Sequence, residues 1–304
     1  MSAINLFPVP PYDFALSATI FSQGDPCIRI FREGVYRHAV DIRGYPQLIE
    51  VISKGTISDP EIEVLFRPDT GDIPEISSSV GELVSSMFNI YDELNPFYKA
   101  VERDPVMTGI AEKLRGLKSP TTPTVFEALT DSIIEQQISL KAAHALRSRL
   151  IKKTGKQLVL DDEVYYCYPE AKTLAVTPDS VFRECGLTFR KAEYIREISN
   201  SIVASELDLE RFRKYENTQE ILHEMMKIRG IGKWTAELTI IRGMHKLDAF
   251  PADDIGLQRI ILRFYCGGRK ISSDESREIA HQWGIWKGLA AFYLDIAEYL
   301  DLTP

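Results

Sequence analysis

The chain has 304 residues, a formal net charge of −8 and four cysteines. Apolar and charged contents of 44% and 26% are ordinary for a soluble globular protein, and no apolar run approaches the roughly 20 residues that cross a bilayer. The opening MSAINLFPVPPYDF lacks the basic-then-apolar pattern of a signal peptide. Cys27, Cys167, Cys185 and Cys266 lack metal-ligand spacing and are too few for a disulfide scaffold. An intracellular protein with free thiols is expected, cytoplasmic, or nuclear if the source is eukaryotic.

In chain order, FALSATIFS, CIRIFRE, VYRHAVDIR and IEVLFRP read as strands between residues 14 and 68, with QLIEVIS a strand or short helix. Short connections between them imply an antiparallel sheet. GDIPEISSSVGE, residues 71–82, reads as a linker. The apolar period then becomes 3.6. Helices are predicted over 80–90, 95–103, 105–115, 124–139, 140–154, 178–185, 190–206, 218–228, 233–246, 254–266, 273–283 and 287–300. Thr124 with Glu127, and Asn217 with Glu220, have capping-box spacing. Pro178 suits a first helical position with Thr177 as its cap. The fold class is α+β, an N-terminal antiparallel-sheet domain over 1–90 followed by an all-helical core over 91–304. Its two lobes are predicted at 116–230 and at 91–115 plus 231–304.

The negative charge is not spread evenly. Residues 50–93 hold ten acids against Lys54 and Arg67, which accounts for the whole net charge. Between Lys227 and Lys246, five bases face the single acid Glu237. That basic stretch contains the turn RGIGKW. Gly230 suits a helix C-cap with positive φ, and Gly232 permits close backbone approach. Together they give helix, hairpin, helix over 218–246. The free N–H groups and dipole of the second helix make its N-terminus an anion site, with Lys233 and Thr235 adding contacts to a phosphate. Beyond the second helix, LDAFPADDIGLQR opens a further helix with Asp253 and Asp254. Such a pair is often an N-cap, but a carboxylate near an anomeric carbon can stabilise an oxocarbenium-like state and orient a water. At about 20 Å of helix, phosphate and carboxylate are expected at opposite ends.

The stretch IRGIGKWTAELTIIRGMHKLDAFPADDIGLQRII resembles the signature of the helix-hairpin-helix DNA glycosylase superfamily, and is most similar to its 3-methyladenine DNA glycosylase II group. FEALTDSIIEQQIS, GLTFRKAEYIREIS, HQWGIWKGLAAFYL and PPYDF resemble other segments of that group. The resemblance implies an enzyme that flips an alkylated base from damaged duplex DNA and hydrolyses its N-glycosidic bond. Asp254 takes the catalytic position, with Asp253 its neighbour. Trp234 falls where lyase-active relatives carry a nucleophilic Lys, so no lyase activity is implied, and it is expected in the base pocket. Gln137 falls on the wedge that fills the flipped base's place. Gly230, Gly232, Lys233 and Thr235 are expected at DNA phosphate, with a monovalent cation near the carbonyls of Ile228 and Gly230. Ile20 and Asp295 stand where relatives place aromatics. No cofactor or catalytic metal is implied, and the expected partner is duplex DNA bound by a monomer. The alternatives are an 8-oxoguanine- or hypoxanthine-type glycosylase and a non-enzymatic helix-hairpin-helix DNA-binding protein.

Overall fold

The computed structural model describes residues 2–68 and 74–303. Five antiparallel strands, β1 (Ser2–Leu6), β2 (Arg29–Arg32), β3 (Val35–Ile42), β4 (Tyr45–Ser53) and β5 (Ile62–Arg67), form a sheet in the order β1-β5-β4-β3-β2. The longest pairing runs from Val35↔Ile52 to Ile42↔Tyr45. It places Tyr36, Val40 and Ile42 of β3 in the core beside Ile49 and Val51 of β4. Strand β1 was not foreseen.

FALSATIFS is not a strand but helix α1 (Phe14–Phe21), capped by Asp13, whose Oδ1 accepts from the N–H of Leu16 at 2.9 Å. Its β-branched Thr19 and Ile20 favour the strand reading, but the apolar residues serve two surfaces. Phe14, Ala18 and Phe21 enter the sheet core, while Leu16 and Ile20 pack on the core built by the end of the chain. The expected linker is also corrected. Residues 74–82 belong to α2 (Pro74–Phe88), whose Ile76, Val80, Val84 and Met87 fall at helical spacing against the sheet. Residues 71–73 lie outside the described residues.

The helices follow as α3 (Asn95–Ala100), α4 (Pro105–Lys113), α5 (Val125–Glu135), α6 (Leu140–Thr154), a hairpin of β6 (Gln157–Leu160) and β7 (Glu163–Tyr166), α7 (Ala171–Ala175), α8 (Asp179–Cys185), α9 (Phe189–Val203), α10 (Thr218–Met225), α11 (Lys233–Met244), α12 (Ile255–Tyr265), α13 (Ser273–Ala280) and α14 (Lys287–Tyr299). Thr124 and Asn217 cap by accepting from the N–H of Glu127 and of Glu220, but among the described residues the reciprocal box forms at Ser272 and Glu275 and not at these two. Pro178 is itself the N-cap of α8, and the Thr177 hydroxyl donates back to the carbonyl of Thr173 at 2.8 Å.

One helical core gathers residues from Val125 to Ala249, and the other joins Leu94–Leu117 to Phe250–Ala297. The division between lobes therefore falls after Ala249, not after residue 230. Helix α11 belongs with α5 because Gly243 lets the two backbones approach. A Cβ there would stand 2.8 Å from that of Ala128. The sheet domain is joined to the helices on a second side, where Ala39 and Leu48 pack against Tyr165 and Cys167 beside the β6–β7 hairpin. All four cysteines are free.

Candidate active site

Helix α10 ends at Met225, several residues before the expected end, and a turn carries the chain to Gly230. Gly230 has φ +85°, and a Cβ on it would strike the Tyr194 ring at 2.4 Å. Glycine is required there twice over. Gly232 is the N-cap of α11 in extended conformation, and a Cβ on it would meet nothing within 4 Å. The N-terminus of α11 thus opens on free space, with Lys233 exposed beside it.

Thr235 does not join that surface. It is buried, and its hydroxyl accepts from Gln136 Nε2 at 3.0 Å. The same amide donates to the carbonyl of Gly230 at 3.1 Å, so Gln136 staples the end of α5 to the hairpin. Lys191 adds a second tie by donating to the carbonyls of Ile134 and Gln136 at 2.8 and 2.7 Å. Gln137, next in the chain, is exposed with φ +58°. The carbonyls of Ile228 and Gly230 each accept one bond within the chain, so a monovalent cation at the hairpin would share the Gly230 oxygen with Gln136.

The basic stretch is less basic than its sequence. Arg229 pairs with Glu193 at 3.0 Å and also with Glu197, and Arg242 pairs with Glu135 at 2.6 Å. Lys227, Lys233 and Lys246 have no ion pair among the described residues.

Asp254 is the N-cap of α12. Its Oδ1 accepts from the N–H of Leu257 at 2.9 Å and its Oδ2 from Trp234 Nε1 at 2.8 Å. The carboxylate therefore lies beside the first turn of α11, not beyond its far end, because the 245–253 segment doubles back along the helix. Arg277 holds that segment. It grips buried Glu237 of α11 at 2.9 and 3.2 Å, donates to the carbonyl of Phe250 at 3.1 Å and stands 3.6 Å from Asp253. Asp253 is thereby an outer partner of Arg277, separate from the Asp254 cap. Gly288 closes the other side. Its N–H bonds the Leu247 carbonyl at 2.6 Å, and a Cβ on it would meet the Leu247 and Ala249 carbonyl oxygens at 2.7 Å.

Asp254 lines a cleft of about 350 Å³. The sheet domain supplies Ile20, Phe21, Gln23 and Arg29 to its wall, the first helical lobe Asp131, Glu135, His144, Arg147 and Arg242, and the second lobe Leu257, Phe292, Asp295 and Tyr299. Ile20 and Asp295 are both in that lining, and Trp234 is not. Trp234 meets the site through its indole N–H.

Sequence reasoning missed a buried polar network that reaches the cleft through Asp131 and Glu135. Glu127, Asp131 and Glu135 recur every fourth residue along α5, and that stripe is a legible signal in an otherwise apolar helix. Arg147 donates to Asp131 at 2.5 Å, Arg242 to Glu135 at 2.6 Å, Tyr168 to Asp131 at 2.9 Å, and Arg29 lies 3.9 Å from Glu127. Burial, with Asp131 adding, pushes Glu127 well above the usual carboxylate range against the pull of Arg29 and Arg147. Burial lowers the His144 imidazole, the Arg147 charge contributing.

A helix-hairpin-helix whose free helix end opens on space, with a capped carboxylate at a cleft between lobes, has the make-up of a nucleic-acid-binding scaffold. The chain belongs to the HhH-GPD superfamily of base excision DNA repair proteins, whose model matches residues 130–284. It is 28% identical over 249 residues to the DNA-3-methyladenine glycosylase of Bacillus subtilis, covering 82% of each chain. It is 25% identical over 179 residues to DNA-3-methyladenine glycosylase 2 of Escherichia coli, covering 59% of this chain and 60% of that one. The fold matches the 3-methyladenine DNA glycosylase of Archaeoglobus fulgidus over the whole of both chains, with a TM-score of 0.83 at 24% identity. It also matches the 8-oxoguanine glycosylase/lyase of Clostridium acetobutylicum in complex with duplex DNA, with a TM-score of 0.77 at 20% identity over 99% of each chain.

Proposed function

We propose that this protein is a monofunctional DNA glycosylase that turns an alkylated base out of duplex DNA into the cleft and hydrolyses its N-glycosidic bond. The observation that carries the reading is Asp254, with each carboxylate oxygen held by one N–H at the cleft wall. Names among its relatives support the alkylated-base class.

The hairpin and Lys233 would hold a phosphate, with Gln137 at the tip of the α5–α6 turn as the wedge beneath the flipped base. The base leaves with the electron pair of the glycosidic bond, and positive charge grows on the sugar. Asp254 stabilises that charge without reorganising, because Leu257 and Trp234 already fix its plane. Water then adds to the sugar carbon, its proton passing to Asp254 or to solvent. A cationic alkylated base is a good leaving group and needs little help beyond this. A neutral base such as hypoxanthine or 8-oxoguanine needs more. In lyase-active relatives the residue at Trp234 supplies an amine. Here it has a neutral indole that cannot form a Schiff base and whose N–H is engaged by Asp254.

The test is single-turnover excision from duplexes that each carry one modified base. Asp254→Asn should lower base release by at least about 100-fold, the size of loss expected when one oriented electrostatic group is removed. The wild type should leave strands intact until alkali or heat, and borohydride should trap no adduct. A borohydride adduct lost in Lys233→Ala would place the protein with the lyases, and 8-oxoguanine as the preferred base would replace the alkylated class.

A further inference from the structure

Two kinds of carboxylate line the cleft. Asp131 and Glu135 are matched by Arg147 and Arg242 at 2.5 and 2.6 Å. Asp254 and Asp295 have no ion pair among the described residues, and Asp295 accepts no hydrogen bond there either. Asp254 is fixed by two N–H groups, so Asp295 is the carboxylate in the lining with uncommitted oxygens. It projects from the middle of α14, between Ala291 and Tyr299, which line the same cleft one turn to either side. A helix interior has no local use for an aspartate, since its side chain favours caps and turns.

We propose that Asp295 selects the substrate by charge, its carboxylate meeting the positively charged, donor-bearing edge of a flipped alkylated purine. This rests on the glycosylase reading above and names the base class that the site prefers. A carboxylate is an acceptor only, so it favours an edge bearing N–H groups, and a cation satisfies its charge as well. The groups that face it agree. Burial by the cleft walls raises its carboxyl, Arg242 opposes that rise, and Asp254, Glu298 and Glu135 add to it. Asp295 is nonetheless open to solvent in the cleft, so its carboxylate is accessible to an incoming cationic base. Arg242 is already engaged by Glu135 and is a weak competitor for the same oxygens.

The experiment compares single-turnover release of 7-methylguanine, a cation bearing N–H donors, with release of neutral hypoxanthine. Wild type, Asp295→Asn and Asp295→Glu are measured, with thermal melting as a check on folding. Asp295→Asn, isosteric and neutral, should lower the ratio of 7-methylguanine to hypoxanthine release by about tenfold or more, the effect of one charge-assisted bond. Asp295→Glu should retain more of the ratio than Asp295→Asn. If hypoxanthine release is too slow to follow, the order of the three proteins on 7-methylguanine decides. An unchanged ratio, equal losses on both bases, or Asp295→Glu as poor as Asp295→Asn would overturn the proposal and leave Asp295 a structural residue. A wild type that releases no modified base would overturn the glycosylase reading first, and this inference with it.

Discussion

Trp234 joins the hairpin to the carboxylate in a single side chain. Its backbone lies in the first turn of α11 and its indole N–H reaches Asp254 at 2.8 Å. Trp234→Phe keeps the ring and removes that donor. We expect base release to fall about tenfold, the lower part of the range for a hydrogen bond to a charged group, with DNA affinity little changed. A proportional loss of affinity would make Trp234 a DNA contact instead. Asp253 and Asp254 both read as openers of a helix after a proline, and only the resemblance singled out Asp254, which the structure makes the N-cap of α12. Thr235 was misread for a geometric reason. Residues 233, 234 and 235 look alike in sequence, but each step turns about 100° round the axis, and only the first of the three faces open solvent. Gln136 was passed over beside Gln137. Their roles part only because φ turns positive at Gln137, which no property of a Gln–Gln pair foretells.

Among the elements, the 245–253 segment decides where the acid stands, and Arg277 of α13 fixes it. Arg277→Met leaves Glu237 buried without a partner. Its carboxyl, already raised by burial with Arg277 opposing, then has nothing to hold it ionised. Breaking a buried pair costs roughly 3–5 kcal/mol, and because the Arg277 side chain is partly exposed we expect at least about 2 kcal/mol in denaturant unfolding. Adding Glu237→Gln should recover much of the loss. A single variant as stable as the wild type would show that the pair adds nothing. Helices with one buried face, such as α9 and α12, were readable from their period. Helix α1 was not, because two cores claim it and little polar face remains to reveal the turn. Strand β1 carries only five residues, and its pairing with β5 depends on a partner more than fifty residues away.

Across the whole molecule, Lys118, next to Leu117 of the second helical core, is tied to the sheet domain. It is fully buried, and its Nζ donates to the carbonyls of Val9 and Ile90 at 2.8 and 2.6 Å. Burial lowers it from 10.5 to about 8, with Asp92 opposing. The unfolded chain keeps that proton to about pH 10.5 and the folded chain releases it near 8. Between those values the unfolded state binds more protons, so stability rises with pH, by about 3 kcal/mol over the full interval. Burial raises the Cys167 thiol to about 12 and also raises Cys185 and Cys27, and these act in the opposite sense within the window, as tyrosines such as Tyr36 and Tyr265 do near its top. Denaturant midpoints between pH 8 and 9.5 are therefore the place to look. The slope of stability against pH should be less positive in Lys118→Met than in the wild type whatever that variant's absolute stability, and an unchanged slope would refute the assignment.

Helix α1 carries the same connectedness into the protein's capacity to change. One face of its eight residues belongs to the sheet and the other to the C-terminal lobe, and Ile20 and Phe21 are also wall of the cleft. The sheet domain is thus no detachable cassette. A shortened chain beginning near residue 91 would lose part of the reaction chamber and expose the apolar seat of Leu16 and Ile20. Exchanging the sheet domain for that of a distant relative would demand matched substitutions on both sides of α1.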